Sequence, residues 1–453
     1  MHIRVNCTTF VCQIIQYREA YMFKTLRKAL SIKEIRHRLF FMLVCMIIIR
    51  IGTQIPIPGV NSNYFAEWFK QNAGSSFNLL NAFTGGSFEK MSILALSITP
   101  YITASIIIEL LTIAIPALEE MQRDGVTGRK KMIAISRYLT VGLSVMESVA
   151  MTIGFGKKGL IPDITFLKGV SVVVALVAGS CFLMWIGEQI TEHGIGNGIS
   201  IVLLINIVSR VPQDITSLYE QFVKGQSIAR GLFSAAVILL IIVMIIVMVV
   251  VLNGAVRKIN VQYSRKTNGR RMVGGQGTHI PLKVNTAGVI PVIFASSIMS
   301  FPGIIAMFAG KSAGFLSFLN EGNWFDMSHP VYTLGAILYI VLVIFFAYFY
   351  TSITFNPMEI ADNLKKSGGV IPGIRPGRPT EEYLKNILSS IIFIGAVGLC
   401  IVAIIPFVFN GLFHASVSFG GTSLIIIVGV ILETAQQIEA MMAVRNYKGF
   451  LGR

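Results

Sequence analysis

Eighteen consecutive residues, from Ala235 to Leu252, are apolar without a break. Wound into an α-helix at about 1.5 Å per residue, such a run spans roughly 27 Å, close to the ~30 Å hydrocarbon core of a bilayer. Runs of similar character recur and place membrane spans near residues 39–58, 91–116, 132–155, 170–190, 196–209, 232–252, 284–309, 331–355, 386–409 and 421–444, the fifth being short and flanked by glycine. Strands of an outer-membrane barrel would alternate apolar and polar residues with period two. These runs are continuous, so the expected class is an all-α polytopic membrane protein with about ten transmembrane helices. Composition closes the soluble alternative, since 54% of the 453 residues are apolar and only 13% are charged, where an ordinary globular protein carries about 25%.

The formal net charge of +16 comes from 38 Lys and Arg against 22 Asp and Glu, and its placement is more informative than its size. With the N-terminus in the cytoplasm, loops and tails on that side hold 27 Lys and Arg and the opposite loops 9. Basic loops stay on the cytoplasmic side, so both termini are expected there. The stretch before the first span lacks a compact apolar run followed by small residues, and no cleavable signal peptide is expected. Residues 1–23 show no periodicity and read as a disordered extension. A second methionine, Met22, points to an upstream extension or a misassigned start.

Clusters that carry chemistry are missing from the pattern. The cysteines at 7, 12, 45, 181 and 400 form no Cys-x-x-Cys pair, and no two of the six histidines lie four residues apart, so neither a thiolate nor an imidazole metal site is indicated. No phosphate loop, zinc-protease helix or nucleophile elbow occurs. No catalytic residue, metal or cofactor is expected. Gly194-Ile195-Gly196-Asn197-Gly198 is glycine-rich but follows no strand, and reads as a turn between helices.

The ten spans divide into two sets of five, with a boundary near 211/212. An odd number of spans per half sets the halves in opposite orientations, as in inverted-repeat transport proteins. The second and seventh spans echo each other: Ile98-Thr99-Pro100-Tyr101-Ile102-Thr103-Ala104-Ser105-Ile106-Ile107 aligns with Val289-Ile290-Pro291-Val292-Ile293-Phe294-Ala295-Ser296-Ser297-Ile298, identical at five of ten positions. Chance and repeat ancestry both account for so short a match. The shared proline removes a backbone donor and is expected to bend each helix, while the Ala-Ser pair admits a close neighbour. Two matching bent helices suggest one interface.

Between the first two spans, Ser75-Ser76-Phe77-Asn78-Leu79-Leu80-Asn81-Ala82-Phe83-Thr84-Gly85-Gly86 is too short to cross a bilayer and ends on a glycine pair. It fits an interfacial helix or a short helix folded back among the others, which is tolerated at membrane depth when protein buries it. Residues 253–283 hold Arg257, Lys258, Arg265, Lys266, Arg270, Arg271 and Lys283 and no acid, around a hairpin containing Val261 and Tyr263. Topology anchors need only flank helix ends, so this arm fits a docking site for an acidic or RNA-bearing partner. The 356–385 loop, rich in Pro and Gly, reads as rigid irregular surface.

Several of these motifs, in order, resemble the SecY family, the channel-forming subunits of the bacterial Sec protein translocase. They are Arg50-Ile51-Gly52 leading to Ile55-Pro56-Ile57-Pro58-Gly59, the Ile98 to Ile108 stretch, Gly187-Glu188-Gln189-Ile190-Thr191-Glu192-His193-Gly194-Ile195-Gly196-Asn197-Gly198-Ile199-Ser200, Pro281-Leu282-Lys283-Val284-Asn285, the 356–377 loop, and Phe419-Gly420-Gly421-Thr422-Ser423-Leu424. The match runs from about Lys24 to Arg453 and leaves residues 1–23 uncovered.

The resemblance implies two inverted halves, 24–211 and 212–453, around an hourglass pore. That pore would translocate unfolded secretory polypeptides across the bacterial cytoplasmic membrane and release transmembrane segments sideways into it. Its constriction would be Ile98, Ile102, Ile199, Leu203, Ile293 and Ile426, an aliphatic ring that seals by dewetting. A plug over 75–86, with Ser75, Phe77, Leu79, Leu80, Phe83, Gly85 and Gly86, would sit against the ring. The lateral gate would lie between the second and seventh spans, with Pro100, Glu109, Asn285 and Pro291. Glu109 stands where the family commonly has uncharged Gln or Thr. Arg257, Lys258, Arg265, Lys266, Arg270, Arg271 and the motor-coupling Arg375 would form the docking surface. Implied partners are SecE, SecG, the SecA ATPase, the ribosome with its RNA, the signal-recognition receptor, secretory precursors with signal sequences, and anionic lipids. The competing reading, an ion-coupled secondary transporter of a small solute, needs charged groups at the membrane midplane. Glu109 and Glu147 are the only acids well inside spans one to nine.

Overall fold

The computed structural model describes residues 30–61, 64, 65, 67, 81, 83–157, 165–222, 228–263, 266–268, 271–273, 278–309, 324, 333–413 and 421–451. Residues 1–23 lie outside them. In chain order the helices are α1 Lys33–Gly52, α2 Thr99–Ala114, α3 Pro116–Arg123, α4 Gly125–Lys157, α5 Phe166–His193, α6 Gly198–Phe222, α7 Ile228–Gly254, α8 Ile290–Ala309, α9 Thr333–Thr354, α10 Pro357–Lys366, α11 Arg378–Phe413 and α12 Gly421–Leu451. A helix falls on each of the ten expected spans. Among the described residues, seven helices are long and apolar enough to cross a membrane, or eight when α2 and α3 are taken as one broken span. The class is therefore that of a polytopic helical membrane protein.

The structure corrects the role expected of the two prolines. Pro100 is the second residue of α2 and Pro291 the second of α8, so each starts its helix and bends nothing. In the first turn a proline gives up a donor that has no intrahelical acceptor, and its fixed φ suits the helix. The second span accordingly begins at Thr99 and not near 91, because residues 91–98 form successive turns with Met91 and Ser97 at φ 45° and 52°. The sharp bend comes at the end of α2 instead. Ile115 is extended there (φ −115°, ψ 110°) ahead of Pro116, as residues before proline prefer, and α2 and α3 diverge by 107°. The fifth span is longer than 196–209, since α6 continues through Pro212 to Phe222 and buries Asp214 and Leu218. The polar residues Gln213, Asp214, Thr216 and Ser217 hid that continuation from a hydropathy reading.

The Gly194 to Gly198 segment is the tight turn expected. A Cβ on Gly198 would collide with the Gly187 carbonyl oxygen, and Gly196 takes φ +91°. Thr191 Oγ1 donates to the Gly187 carbonyl (2.9 Å) and accepts from the Gly198 N–H (2.9 Å), which staples α6 against α5.

At one end of the bundle the chain departs from pure helix. Strands β1 Val256–Tyr263 and β4 Thr278–Lys283 pair antiparallel (Ile259 opposite Ile280), and β2 Lys266–Asn268 pairs with β3 Arg271–Val273. This is the hairpin expected in the basic arm. β1 also pairs with β5, Gly369–Val370 (Tyr263 opposite Gly369), in the order β4-β1-β5, so the arm and the 356–385 loop share one sheet. Ile259, Val261, Leu282, Leu364, Ile371, Leu384 and Ile387 form a core beneath it that reaches onto α11. α10 is stopped locally: the Asn356 side chain accepts from the Met358 N–H, Pro357 opens the helix, and Lys365 and Lys366 close it, each choice favourable to the exposed termini and the helix dipole.

Candidate functional site: constriction, plug and gate

The six expected ring residues come from four helices and meet in one apolar cluster. Ile98 caps α2 and Ile102 lies in its first turn. Ile199 and Leu203, four apart, share a face of α6. Ile293 is in the first turn of α8, and Ile426 is near the start of α12. Ile98, Ile102, Leu203 and Ile426 are buried, and Ile199 and Ile293 partly so. Gly187 of α5 marks how tightly they close, because a Cβ there would stand 3.5 Å from Ile98 Cδ1 and 3.7 Å from Ile199 Cγ1.

On one side of this cluster lies an open cavity of about 240 Å³. Leu203, Ile293 and Ile426 form part of its wall, and Asn197, Ser200, Asn253, Asn285, Thr286 and Gln436 supply polar groups. Asn285 Nδ2 donates to Asn253 Oδ1 at 2.7 Å, linking the start of the segment that enters α8 to the end of α7. The end of the 75–86 segment meets the cluster further along α6, at Asn206. Asn81, Thr84 and Gly85 are buried, and Phe83 packs on the same apolar cluster. Ser75, Phe77, Leu79 and Leu80 lie outside the described residues.

Of the expected gate residues, Glu109 is half-buried on α2, and its Oε2 has no hydrogen-bond partner among the described residues. α8 packs far more extensively on α9 than on α2, so the α2–α8 seam is the looser contact. Among the expected docking residues, Arg257 and Lys258 are exposed on β1, and Arg375 is exposed in a turn closed by Thr380 Oγ1, which donates to the Arg375 carbonyl at 2.8 Å. Lys266 and Arg271 belong to the β2–β3 hairpin. Arg265 and Arg270 lie outside the described residues. The described residues hold no group of three His, Cys, Asp or Glu arranged to ligate a metal.

Sequence reasoning missed the polar groups around the expected plug segment. Arg50, Ser97, Asn206 and Arg210 all approach the 81–89 segment. A lone amide at Asn206 within the apolar run Ile201 to Val208 was the available signal. An Arg137–Glu188 ion pair (2.8 Å) between α4 and α5 also escaped notice.

The family model for SecY matches residues 92–435. The chain belongs to the SecY family. Protein translocase subunit SecY of Streptomyces galbus is 41% identical over 444 residues, covering 95% of this chain and all of that one. The SecY subunits of Bacillus licheniformis and Bacillus subtilis are each 42% identical over 442 residues with the same coverage. Among solved structures, one described as a protein conducting channel superposes with a TM-score of 0.63 at 18% identity, over 90% of this chain and 93% of that one. A structure concerning the plug domain of a SecY protein gives 0.60 at 19% identity over the same shares. This SecY-family chain is thus a multi-pass membrane protein of a protein-translocation channel, from a family of channels and not of catalysts. The transporter alternative finds no support.

Proposed function

We propose that Ile98, Ile102, Ile199, Leu203, Ile293 and Ile426 form the constriction through which unfolded polypeptides pass, that residues 75–86 are its plug, and that the α2–α8 seam, with Pro100, Glu109, Asn285 and Pro291, is the exit into lipid. One observation carries this reading: Leu203, Ile293 and Ile426 line an open polar cavity and belong to the same apolar cluster on which Phe83 packs, beside buried Thr84 and Gly85. A polypeptide crossing bare lipid would leave each backbone polar group unpaired at several kcal/mol, so it needs a wet path. Such a path must also close when idle, and an aliphatic ring closes it by dewetting while binding no passing charge. Apolar segments leave sideways because lipid burial gains about 25 cal/mol per Å².

The halves are 24–211 and 212–453, in the bacterial cytoplasmic membrane with both termini inside. The sheet carrying Arg257 and Lys258, together with Arg375 and the neighbouring Arg265, Lys266, Arg270 and Arg271, docks the SecA motor, the ribosome with its RNA and the signal-recognition receptor. A solved relative, Sec61, is known in a ribosome-channel complex. SecE, SecG and anionic lipids complete the surroundings, and the energy for transport comes from a partner, since the sequence holds no nucleotide motif. A photo-crosslinker at Ile98 or Ile293, with a secretory precursor stalled during export, is expected to give precursor adducts. Adducts to a small solute analogue and none to the precursor would overturn the reading.

A further inference from the structure

The end of the plug is tied down by polar groups that an aliphatic seal does not require. The Phe83 carbonyl accepts from Asn206 Nδ2 (3.3 Å) and from Ser97 Oγ (3.4 Å), and Asn206 Nδ2 also donates to Ser97 Oγ (3.1 Å). Two residues on, the Gly85 carbonyl accepts from an Arg50 guanidinium nitrogen at 3.4 Å. Behind them Glu89 closes the loop on Asn81, accepting from Asn81 Nδ2 (3.1 Å) and donating its N–H to Asn81 Oδ1 (3.2 Å), and it faces Arg210 at 3.6 Å. Arg50 comes from α1, Asn206 and Arg210 from α6, and Ser97 from the turn that launches α2.

Two features of this cluster are unfavourable in isolation. Asn206 and Ser97 are each only 1% exposed, and a buried amide or hydroxyl is costly unless hydrogen-bonded. Ser97 also holds φ 52°, a left-handed conformation that residues with a side chain rarely adopt. That conformation accompanies a hydroxyl within reach of both Asn206 and the Phe83 carbonyl. The fit is close on the other side too, since Gly85 is at φ +66° and a Cβ there would stand 2.9 Å from the Arg50 guanidinium and 3.0 Å from the Asn206 backbone.

We propose that Asn206, Ser97 and Arg50 form a polar latch that seats the plug and sets how readily it leaves. The inference rests on the reading of 75–86 as a plug. All three are positioning residues. Polar contacts suit a seat that must be vacated, because the carbonyls and the amide exchange their protein partners for water once the pore is wet, so the net hold of each bond is modest. Ser97 immediately precedes Ile98, so the same residue touches the plug, borders the ring and begins the gate helix.

The test uses the full translocon in vesicles and reads resting ion leak alongside precursor export. Asn206→Leu is expected to raise the leak by about fivefold, what losing one ordinary hydrogen bond amounts to, with export retained. Ser97→Ala is expected to do the same, and it decides the matter with the same readout should Asn206→Leu fail to assemble. A chain lacking residues 75–86 leaks more, and adding Asn206→Leu to it changes nothing further. Wild-type leak in both point variants, with a raised leak in the deletion, overturns the latch and leaves the plug standing. An unchanged leak in the deletion overturns the plug reading and the latch with it. An increment from Asn206→Leu on top of the deletion also overturns the latch, because the residue would then act on something other than the plug.

Discussion

Ser97 and Gly288 occupy corresponding places, one residue ahead of the two echoing stretches that launch α2 and α8, and both have left-handed backbone, φ 52° and 65°. In the C-terminal half the position is glycine, which takes this conformation freely, and no atom stands within 4 Å of where a Cβ would be. In the N-terminal half it is a buried serine whose hydroxyl engages the Phe83 carbonyl and Asn206. The two helix starts therefore share a backbone device but not its use. Gly288 borders the open cavity with room around it; Ser97 is held against the Phe83 segment.

The largest effect is expected at the proposed ring, to which both halves contribute. Ile426 is fully buried, and Ile426→Asp places a carboxylate inside an aliphatic seal at the edge of a polar cavity, so the site must hydrate. Resting ion leak in reconstituted vesicles is expected to rise by about tenfold or more, and an unchanged leak removes Ile426 from the seal. Arg375→Glu probes the half with the glycine helix start, whose sheet carries the proposed docking surface. Motor-driven export should fall by about tenfold if the side chain contributes a charge-paired contact of roughly 1.5 kcal/mol, with membrane assembly intact because the residue is exposed. Normal export rates would count against docking there.

Exchanging the residues at the two helix starts sharpens the contrast. Gly288→Ser is expected to cost about 1–2 kcal/mol of stability without opening the seal, whereas Ser97→Gly relieves backbone strain of similar size and yet raises the leak. Unfolding midpoints measured beside the leak separate the two, and matching leak at both sites would erase the distinction. The smallest effect belongs to Asn285→Leu. It removes the 2.7 Å bond to Asn253, but the Asn253 oxygen borders a cavity and keeps water, so about 1 kcal/mol is at stake. The readout is the apolarity a test segment needs to enter lipid rather than be exported; an unmoved threshold places the Asn285–Asn253 bond outside the gate.

Much of this was legible in the chain. Continuous apolar runs each fell on a helix, although α6 extends well beyond its expected end, and the glycine spacing of 194–198 identified the turn between α5 and α6. Errors arose where a local rule had two outcomes. A proline in an apolar run either bends a helix or starts one, and Pro100 and Pro291 start theirs. The apolar run of the fifth span ends near 209, yet α6 continues to Phe222 and buries Asp214 and Leu218.

Hydropathy, charge placement and motif order are properties of adjacent residues, and from them the sequence by itself determined the membrane class, the expected topology and the family. The partners of Phe83 and Gly85 are of another kind. Asn206 lies 123 residues from Phe83 and 109 from Ser97, and Arg50 lies 35 from Gly85. The strand that joins the basic arm to the 356–385 loop likewise pairs Tyr263 with Gly369. No periodicity encodes such pairings, because a hydrogen bond depends on where packing brings two distant groups to within about 3 Å. Only the tertiary structure decided that a serine, an amide and an arginine would meet around Phe83 and Gly85.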